Sequence, residues 1–211
     1  MRRCVTLVLA FVLALPLAAQ ELDADALWKM MLTGNLTYMA GDISFKDLDQ
    51  EREATAGGQQ PPVLVLACSD SRVPPELVFN QSLGALFVVR TAGNVADEFG
   101  MASIEYAVSH TDPQWARLIV VLAHEKCGAV VEAMKPEEPP TPPLTALVNR
   151  IRRSFVMGQT DLPDAIKANA KAAAAALTAE STVVRKAVME KRVKIIPAYY
   201  ELLSGKVTAI E

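Results

Sequence analysis

Short, continuous apolar runs alternate with segments of helical periodicity along most of this chain. A continuous apolar run predicts a strand that is buried on both faces, which is typical of a parallel sheet. Apolar residues at every third or fourth position predict helices that cover such a sheet. The predicted buried strands are residues 63–67, 86–90, 118–123 and 193–196, and residues 206–210 are predicted to add a short edge strand.

The order of these segments predicts an α/β fold. Helices are expected between the strands, around residues 102–110, 128–134, 144–155, 164–177 and 183–190. Strands that alternate with helices predict a central, mostly parallel sheet of four strands plus an edge strand, with helices on both faces. Residues 25–40 have helical spacing and form an N-terminal helical arm, which either packs back on the domain or embraces a second subunit.

The amino terminus has the layout of a secretory signal peptide. Arg2 and Arg3 precede an apolar run over residues 5–15, and small residues follow up to Ala19. The alternative is an uncleaved anchor helix, but the run is shorter than the roughly 20 residues that a bilayer span needs. Residues 1–19 are therefore predicted to be a signal peptide and residues 20–211 a single domain. We expect an exported protein, periplasmic or secreted, without stable membrane insertion after cleavage.

The charge of the chain argues against nucleic acid as a partner. The formal net charge is −3, and removal of residues 1–19 takes away two arginines and no acid, which makes it −5. A nucleic-acid-binding domain of this size usually carries a clustered positive charge instead.

The cysteine count leaves two interpretations open. Of the three cysteines, Cys4 lies in the predicted signal peptide, so the mature chain keeps Cys68 and Cys127. In an exported protein, a disulfide between two such cysteines is the ordinary expectation. The alternative is that both thiols bind a metal ion.

The neighbours of the two cysteines favour the metal. Cys68 follows the first predicted strand, and His124 and Cys127 follow the third. In a parallel sheet the carboxyl ends of the strands lie at one edge, where ligands bind. Two thiolates and one imidazole suit Zn²⁺ and leave its fourth tetrahedral position open for chemistry.

Asp70 and Arg72 stand directly beside the first cysteine. Residues two apart in extended or turn geometry can point to the same side, so Arg72 can hold the Asp70 carboxylate through two charge-assisted hydrogen bonds. The alternative is an ordinary surface ion pair, which contributes little. Because Cys68 is adjacent, we expect the pair to control what occupies the open position.

Five segments together resemble the beta-class carbonic anhydrases, and the similarity runs from about Ala26 to the end of the chain. They are Cys-Ser-Asp-Ser-Arg at 68–72, Val-Pro-Pro-Glu at 73–76, Phe-Val-Val-Arg at 87–90, Ala-Gly-Asn at 92–94 and His-Glu-Lys-Cys-Gly-Ala-Val at 124–130. The resemblance implies reversible hydration of CO2 to bicarbonate and a proton, with one zinc ion per subunit held by Cys68, His124 and Cys127. It also implies that zinc-bound hydroxide attacks CO2.

The resemblance assigns further roles around the metal. Asp70 and Arg72 form a dyad in which the arginine holds the aspartate off the metal. In part of the family the aspartate binds zinc instead, and some members of that part have a tryptophan where this chain has Val65, so the open arrangement is expected here. The substrate pocket implied by the family motifs consists of Gln59, Phe87, Ala92, Gly93 and Asn94. A homodimer or higher homo-oligomer is also implied.

Two rival functions remain at this point. Related zinc enzymes use the same ligands to hydrolyse carbon disulfide or carbonyl sulfide. A non-catalytic secreted domain with a Cys68–Cys127 disulfide is the other rival. His110, the only histidine besides His124, is either a proton shuttle or a structural residue at a helix end.

Overall fold

The computed structural model describes residues 23–43, 47–110, 112, 115–156 and 158–211. The predicted signal peptide, residues 1–19, lies outside the described residues. Among the helices that are described, none combines the length and the apolar character needed to cross a bilayer.

The described part of the chain forms a five-stranded sheet with the predicted mixed topology. The strands are β1 Val63–Cys68, β2 Leu86–Thr91, β3 Leu118–His124, β4 Lys194–Tyr200 and β5 Val207–Ala209. Their order in the sheet is β2-β1-β3-β4-β5. The first four strands are parallel and β5 runs antiparallel to β4. The prediction of four parallel strands plus an edge strand is therefore confirmed.

One strand is longer than the apolar pattern predicted. The predicted strand ended at Ile196, before Pro197, whereas β4 continues to Tyr200. Proline lacks a backbone donor, but its carbonyl still accepts, and Pro197 O receives the N–H of Ile210 over 2.8 Å. The strand therefore passes through the proline and reaches the edge of the sheet beside His124.

Helices cover both faces of this sheet. They are α1 Ala24–Met39, α2 Leu48–Thr55, α3 Pro75–Val78, α4 Glu98–Ser109, α5 Gly128–Met134, α6 Pro142–Arg152, α7 Leu162–Glu180 and α8 Thr182–Met189. Leu64 and Leu66 pack on the face covered by α4 to α8, while Val63 and Val65 pack on the face of α1 and α3. Alternate residues of one strand thus enter two cores, which explains why the strand reads as continuously apolar.

Helix α2 was not predicted, because it buries none of its residues and so carries no apolar stripe. Asp47 caps its first turn by accepting from two backbone N–H groups. The N-terminal arm corresponds to α1, and it packs back on its own domain. Leu27 and Met31 are buried in the core, and Asn35 bonds to backbone groups of residues 78, 205 and 207.

Candidate metal centre

Three ligand residues converge at the carboxyl edge of the sheet. Cys68 is the last residue of β1 and His124 the last residue of β3, and these two strands are parallel neighbours. Cys127 follows three residues later and precedes α5. One ligand atom from each of the three residues lies within 4.8 Å of the other two. The sequence-based prediction that these residues meet is confirmed.

The imidazole of His124 is prepared for a metal. The ring is completely buried. Its Nδ1 lies 2.9 Å from the carbonyl of Glu125, and since a carbonyl can only accept, Nδ1 carries the proton. Nε2 then has a free lone pair, and it is buried without a hydrogen-bond partner among the described residues. A buried acceptor without a partner costs free energy, so a cation bound at Nε2 satisfies the one unmet group of this ring.

The two cysteines form a coupled pair of thiols rather than a disulfide. Both are buried and free, and their Sγ atoms lie 4.0 Å apart, about twice the S–S bond length of roughly 2.0 Å. The hydrogen bond with Cys127 lowers the pKa of Cys68 to about 4, and the same hydrogen bond raises the pKa of Cys127. Without a cation the pair therefore shares one proton, which stays on Cys127 because the pKa of that thiol is raised. Binding of a divalent cation to both sulfurs requires that this proton be released.

The turn that carries Cys127 depends on one unusual backbone conformation. Lys126 lies between His124 and Cys127 with a φ of 55°, in the left-handed region. This conformation lets the chain reverse within three residues, so that both ligands face the same point. The Lys126 side chain is 70% exposed and pairs with Glu125, so it points to solvent and away from the ligand atoms.

Asp70 and Arg72 form the predicted fork. Arg72 Nε donates to Asp70 Oδ1 over 2.8 Å, and Nη2 donates to Oδ2 over 2.6 Å. The backbone N–H of Arg72 adds a third bond to Oδ1 over 2.9 Å. These hydrogen bonds hold the pKa of Asp70 well below its usual range, so the group is a carboxylate. Its Oδ2 lies 3.9 Å from His124 Nε2, beside the ligand group.

Arg90 supports the same loop and was missed by the sequence reasoning. Its Nε donates to the carbonyl of Cys68 over 3.0 Å, and its Nη2 donates to the carbonyl of Asp70 over 2.5 Å. Arg90 lies opposite Ala67 in the register of β1 and β2. The sequence did contain a signal for this role. Arg90 is a charged residue at the end of an otherwise apolar strand, and that strand pairs with the strand that ends in Cys68.

The turn at 92–94 lies against the first ligand. Gly93 has a φ of 67° and donates its N–H to Cys68 Sγ over 3.3 Å. Asn94 is buried, and its side-chain nitrogen has no partner in the described structure. Ala92 opens this short 3-10 turn. Three of the five predicted pocket residues thus belong to a turn in contact with the metal group.

Gln59 and Phe87 are not brought to the ligands of their own chain. Phe87 lies opposite Leu64, four residues before the Cys68–Thr91 pair, which is about 13 Å along a strand. Gln59 is exposed and precedes β1, at the opposite edge of the sheet. Both residues thus lie well away from Cys68 within one chain, and their assignment to the pocket is not tested by it. A role in the pocket of a second subunit stays a prediction.

His110 lies away from the metal group as well. Its ring stacks on Trp115 at a centroid distance of 4.0 Å, and Tyr106 meets it edge-on at 5.0 Å. This aromatic cluster precedes β3, whose other end carries His124. The structural interpretation of His110 is therefore favoured over the proton shuttle.

Comparison with known proteins agrees with this site. The carbonic anhydrase family profile matches residues 63–207. Carbonic anhydrase 2 of Mycobacterium tuberculosis is 33% identical over 189 residues, covering 86% of this chain and 90% of the relative. The carbonic anhydrase of Mycolicibacterium smegmatis is 35% identical over 190 residues, covering 86% and 91%.

A solved structure shares the fold. A tetrameric beta-carbonic anhydrase from Sordaria macrospora superposes with a TM-score of 0.65 at 22% identity, covering 87% of this chain and 96% of that one. The fold, the converging cysteines and histidine, and the full-length relatives agree with each other. The chain belongs to the beta-class carbonic anhydrases and is a carbonic anhydrase enzyme.

Proposed function

We propose that Cys68, His124 and Cys127 hold one zinc ion per subunit, and that this site hydrates CO2 reversibly to bicarbonate and a proton. The observation that carries the proposal is that the three ligand atoms lie within 4.8 Å of one another, while the buried His124 Nε2 has no hydrogen-bond partner in the part of the chain that the structure describes. Two thiolates balance the charge of a divalent cation, and a soft sulfur-and-nitrogen set favours zinc over magnesium or calcium. When bound, zinc supplies the Lewis-acid activation of the attacking water.

The chain's own groups then orient the reaction. Asp70 is a carboxylate beside the ligand group, and it can only accept hydrogen bonds. We propose that its Oδ2 accepts a hydrogen bond from the attacking water and so directs the free lone pair of that oxygen toward CO2. Arg72 engages both carboxylate oxygens, which keeps Asp70 from taking a ligand position itself. The dyad thus both orients the nucleophile and gates the site.

The gate is proposed to stand open under ordinary conditions. The fork between Asp70 and Arg72 is fully formed, and Arg90 holds the carbonyls on both sides of Ser69. Val65 stands where some closed members of the family carry a tryptophan, and it is completely buried in the core against α1 and α3.

Zinc analysis and a hydration assay on the same purified sample test the proposal. Protein beginning at Gln20 is expected to contain one zinc per chain and to accelerate CO2 hydration, and a strong chelator is expected to remove both. Carbonyl sulfide and carbon disulfide serve as comparison substrates. Faster turnover of either than of CO2 would replace the proposed substrate. A metal-free protein without titratable thiols would instead identify the disulfide-bonded binding domain.

Export and self-association belong to the same proposal. The composition of residues 1–19 supports cleavage near Ala19, which the mass of the protein recovered from the periplasm or medium of an expressing bacterium would test. Because the Sordaria macrospora structure is described as tetrameric, we propose a homodimer or higher homo-oligomer. Light scattering of the mature protein would give its mass, and a monomer at micromolar concentration would refute this part.

A further inference from the structure

Asn169 connects helix α7 to the turn that contacts the first ligand. Its side chain is 3% exposed, and its Nδ2 donates to the carbonyl of Gly93 over 2.8 Å, across 76 residues of sequence. The N–H of Gly93 in turn donates to Cys68 Sγ over 3.3 Å. A buried amide on a distant helix therefore bonds to the residue that bonds to the ligand.

The turn around Gly93 is confined from the other side by packing. A Cβ at Gly93 would lie 2.8 Å from Ile151 Cδ1 and 3.2 Å from the Cβ of Ala129. The Cα of Gly93 is therefore pressed against α5 and α6, while its carbonyl is held by α7. These contacts restrict the Gly93 turn from two sides, and within this turn the Gly93 N–H points at the sulfur of Cys68.

We propose that Asn169 is a positioning residue for the metal centre, acting on Cys68 through the Gly93 turn. The role rests on the proposed zinc site. An N–H donor to a ligand sulfur restricts the orientation of that sulfur and stabilises its thiolate form, which is the form that binds the metal. Hydrogen-bond partners beyond the ligands commonly control metal affinity in this way. The relevant property of Asn169 is its donor, since a carbonyl offers only acceptor sites.

The chain contains a matched control for this role. Asn35 is 2% exposed, and its side chain makes three hydrogen bonds, to Val78 O over 3.0 Å, Gly205 O over 2.8 Å and Val207 N over 2.9 Å. It lies on the opposite face of the sheet, where it ties α1 to β5. Replacing Asn35 therefore damages the fold at least as much as replacing Asn169, without touching the Gly93 turn.

Leucine is the informative replacement at both positions, because it keeps the approximate size and removes every donor. Asn169 also lines a cavity of about 180 Å³ together with Arg150 and Ser154. In Asn169→Ala, water from this cavity can enter and donate to the Gly93 carbonyl, so the alanine variant is expected to retain more of the zinc affinity than the leucine variant. If the leucine variant does not fold, Asn169→Met replaces it, because methionine has a similar length, is more flexible and also presents no donor.

The experiment measures the zinc dissociation constant by competition with a chromophoric chelator, together with the melting temperature of each protein. Asn169→Leu is expected to bind zinc about 10- to 100-fold more weakly than the wild type. After cobalt substitution, its thiolate-to-metal charge-transfer absorption is expected to shift. Asn35→Leu is expected to melt at a lower temperature but to keep the wild-type zinc affinity and cobalt spectrum.

Three results would overturn the role of Asn169. The first is an unchanged zinc affinity and cobalt spectrum in Asn169→Leu, or in Asn169→Met if the leucine variant does not fold. The second is an equal loss of affinity in Asn35→Leu, because general destabilisation would then explain both. The third is a wild-type protein that takes up no zinc, which refutes the metal site itself and is recognised before any variant is compared.

Discussion

The two ligand-bearing loops are built in different ways. The loop after β1, which follows Cys68, is held by charged side chains. Arg72 donates two side-chain hydrogen bonds to the carboxylate of Asp70, and Arg90 donates to two backbone carbonyls. Arg72 and Arg90 are themselves exposed to solvent. This loop therefore depends on charges that a substitution or a change of pH can remove.

The loop after β3 is held mainly through backbone groups, together with the side chain of Glu125. Glu125 N–H donates to the carbonyl of Tyr200 over 2.8 Å, and the Glu125 carbonyl accepts from His124. The Glu125 side chain accepts the N–H of Leu202 over 3.1 Å, and Lys126 adopts the left-handed conformation. Both ligands of this loop are almost completely buried. The comparison indicates a fixed half of the site, which carries His124 and Cys127, and an adjustable half, which carries Cys68 and the Asp70–Arg72 pair proposed as the gate.

The largest effect on activity is expected from removing the hydrogen bonds that Arg72 donates to Asp70. In Arg72→Ala the carboxylate loses all its side-chain partners and is free to take the open ligand position, so CO2 hydration should fall by about 10²-fold or more. Zinc content should stay at one per chain, because the three protein ligands are untouched. Arg72→Lys, which offers a point charge without the fork, should retain part of the activity. Normal turnover in Arg72→Ala would show that the adjustable half has no gate.

A smaller effect is expected at Arg90. Arg90→Met removes two charge-assisted hydrogen bonds to loop carbonyls, but both can be partly replaced by water because the side chain is exposed. We expect a loss of about 1–2 kcal/mol in unfolding free energy and a several-fold loss of activity. Thermal unfolding and the hydration assay measure the two. Arg185→Met is a suitable control, since Arg185 also donates to two carbonyls but on a helix far along the chain; it should lower stability alone.

The two loops also differ in how far the sequence reveals them. The apolar runs predicted four strands that run in the same direction. This direction alone placed Cys68 and His124 at one edge of the sheet. The fork of Asp70 and Arg72 follows from spacing, because both residues belong to one short turn. Asn169 and Arg90 were not predicted, since their partners are backbone atoms, which carry no residue-specific signal. Phe87 was assigned to the pocket by resemblance, and its position in one chain does not test a pocket shared with a second subunit.

A fall in pH should remove the contribution of the Asp70–Arg72 pair, in the adjustable half, to the free energy of unfolding. Arg72 depresses the folded-state pKa of Asp70, so the pair contributes stability that is present above the unfolded value of about 3.9 and is lost as pH falls toward the folded value. In chelator-treated protein, the stability difference between the wild type and Arg72→Ala should therefore be constant above about pH 5 and shrink below about pH 4. The ¹³C shift of the Asp70 carboxyl should titrate at a higher pH in Arg72→Ala. An equal titration midpoint in both proteins would contradict the contribution of the fork.

The smallest effect is expected in the fixed half, at Lys126. The left-handed conformation costs a non-glycine residue about 1–2 kcal/mol of folding free energy. Glycine avoids this cost, but part of the gain is cancelled because glycine gives the unfolded chain more conformational entropy. Lys126→Gly should therefore stabilise the protein by about 0.5–1 kcal/mol, and Lys191→Gly, at a φ of 59° outside the site, should do the same. If the second loop is fixed by its backbone, zinc affinity should be equal in both variants and the wild type. A weaker zinc affinity in Lys126→Gly alone would mean that the lysine side chain, rather than the turn, holds the two ligands in place.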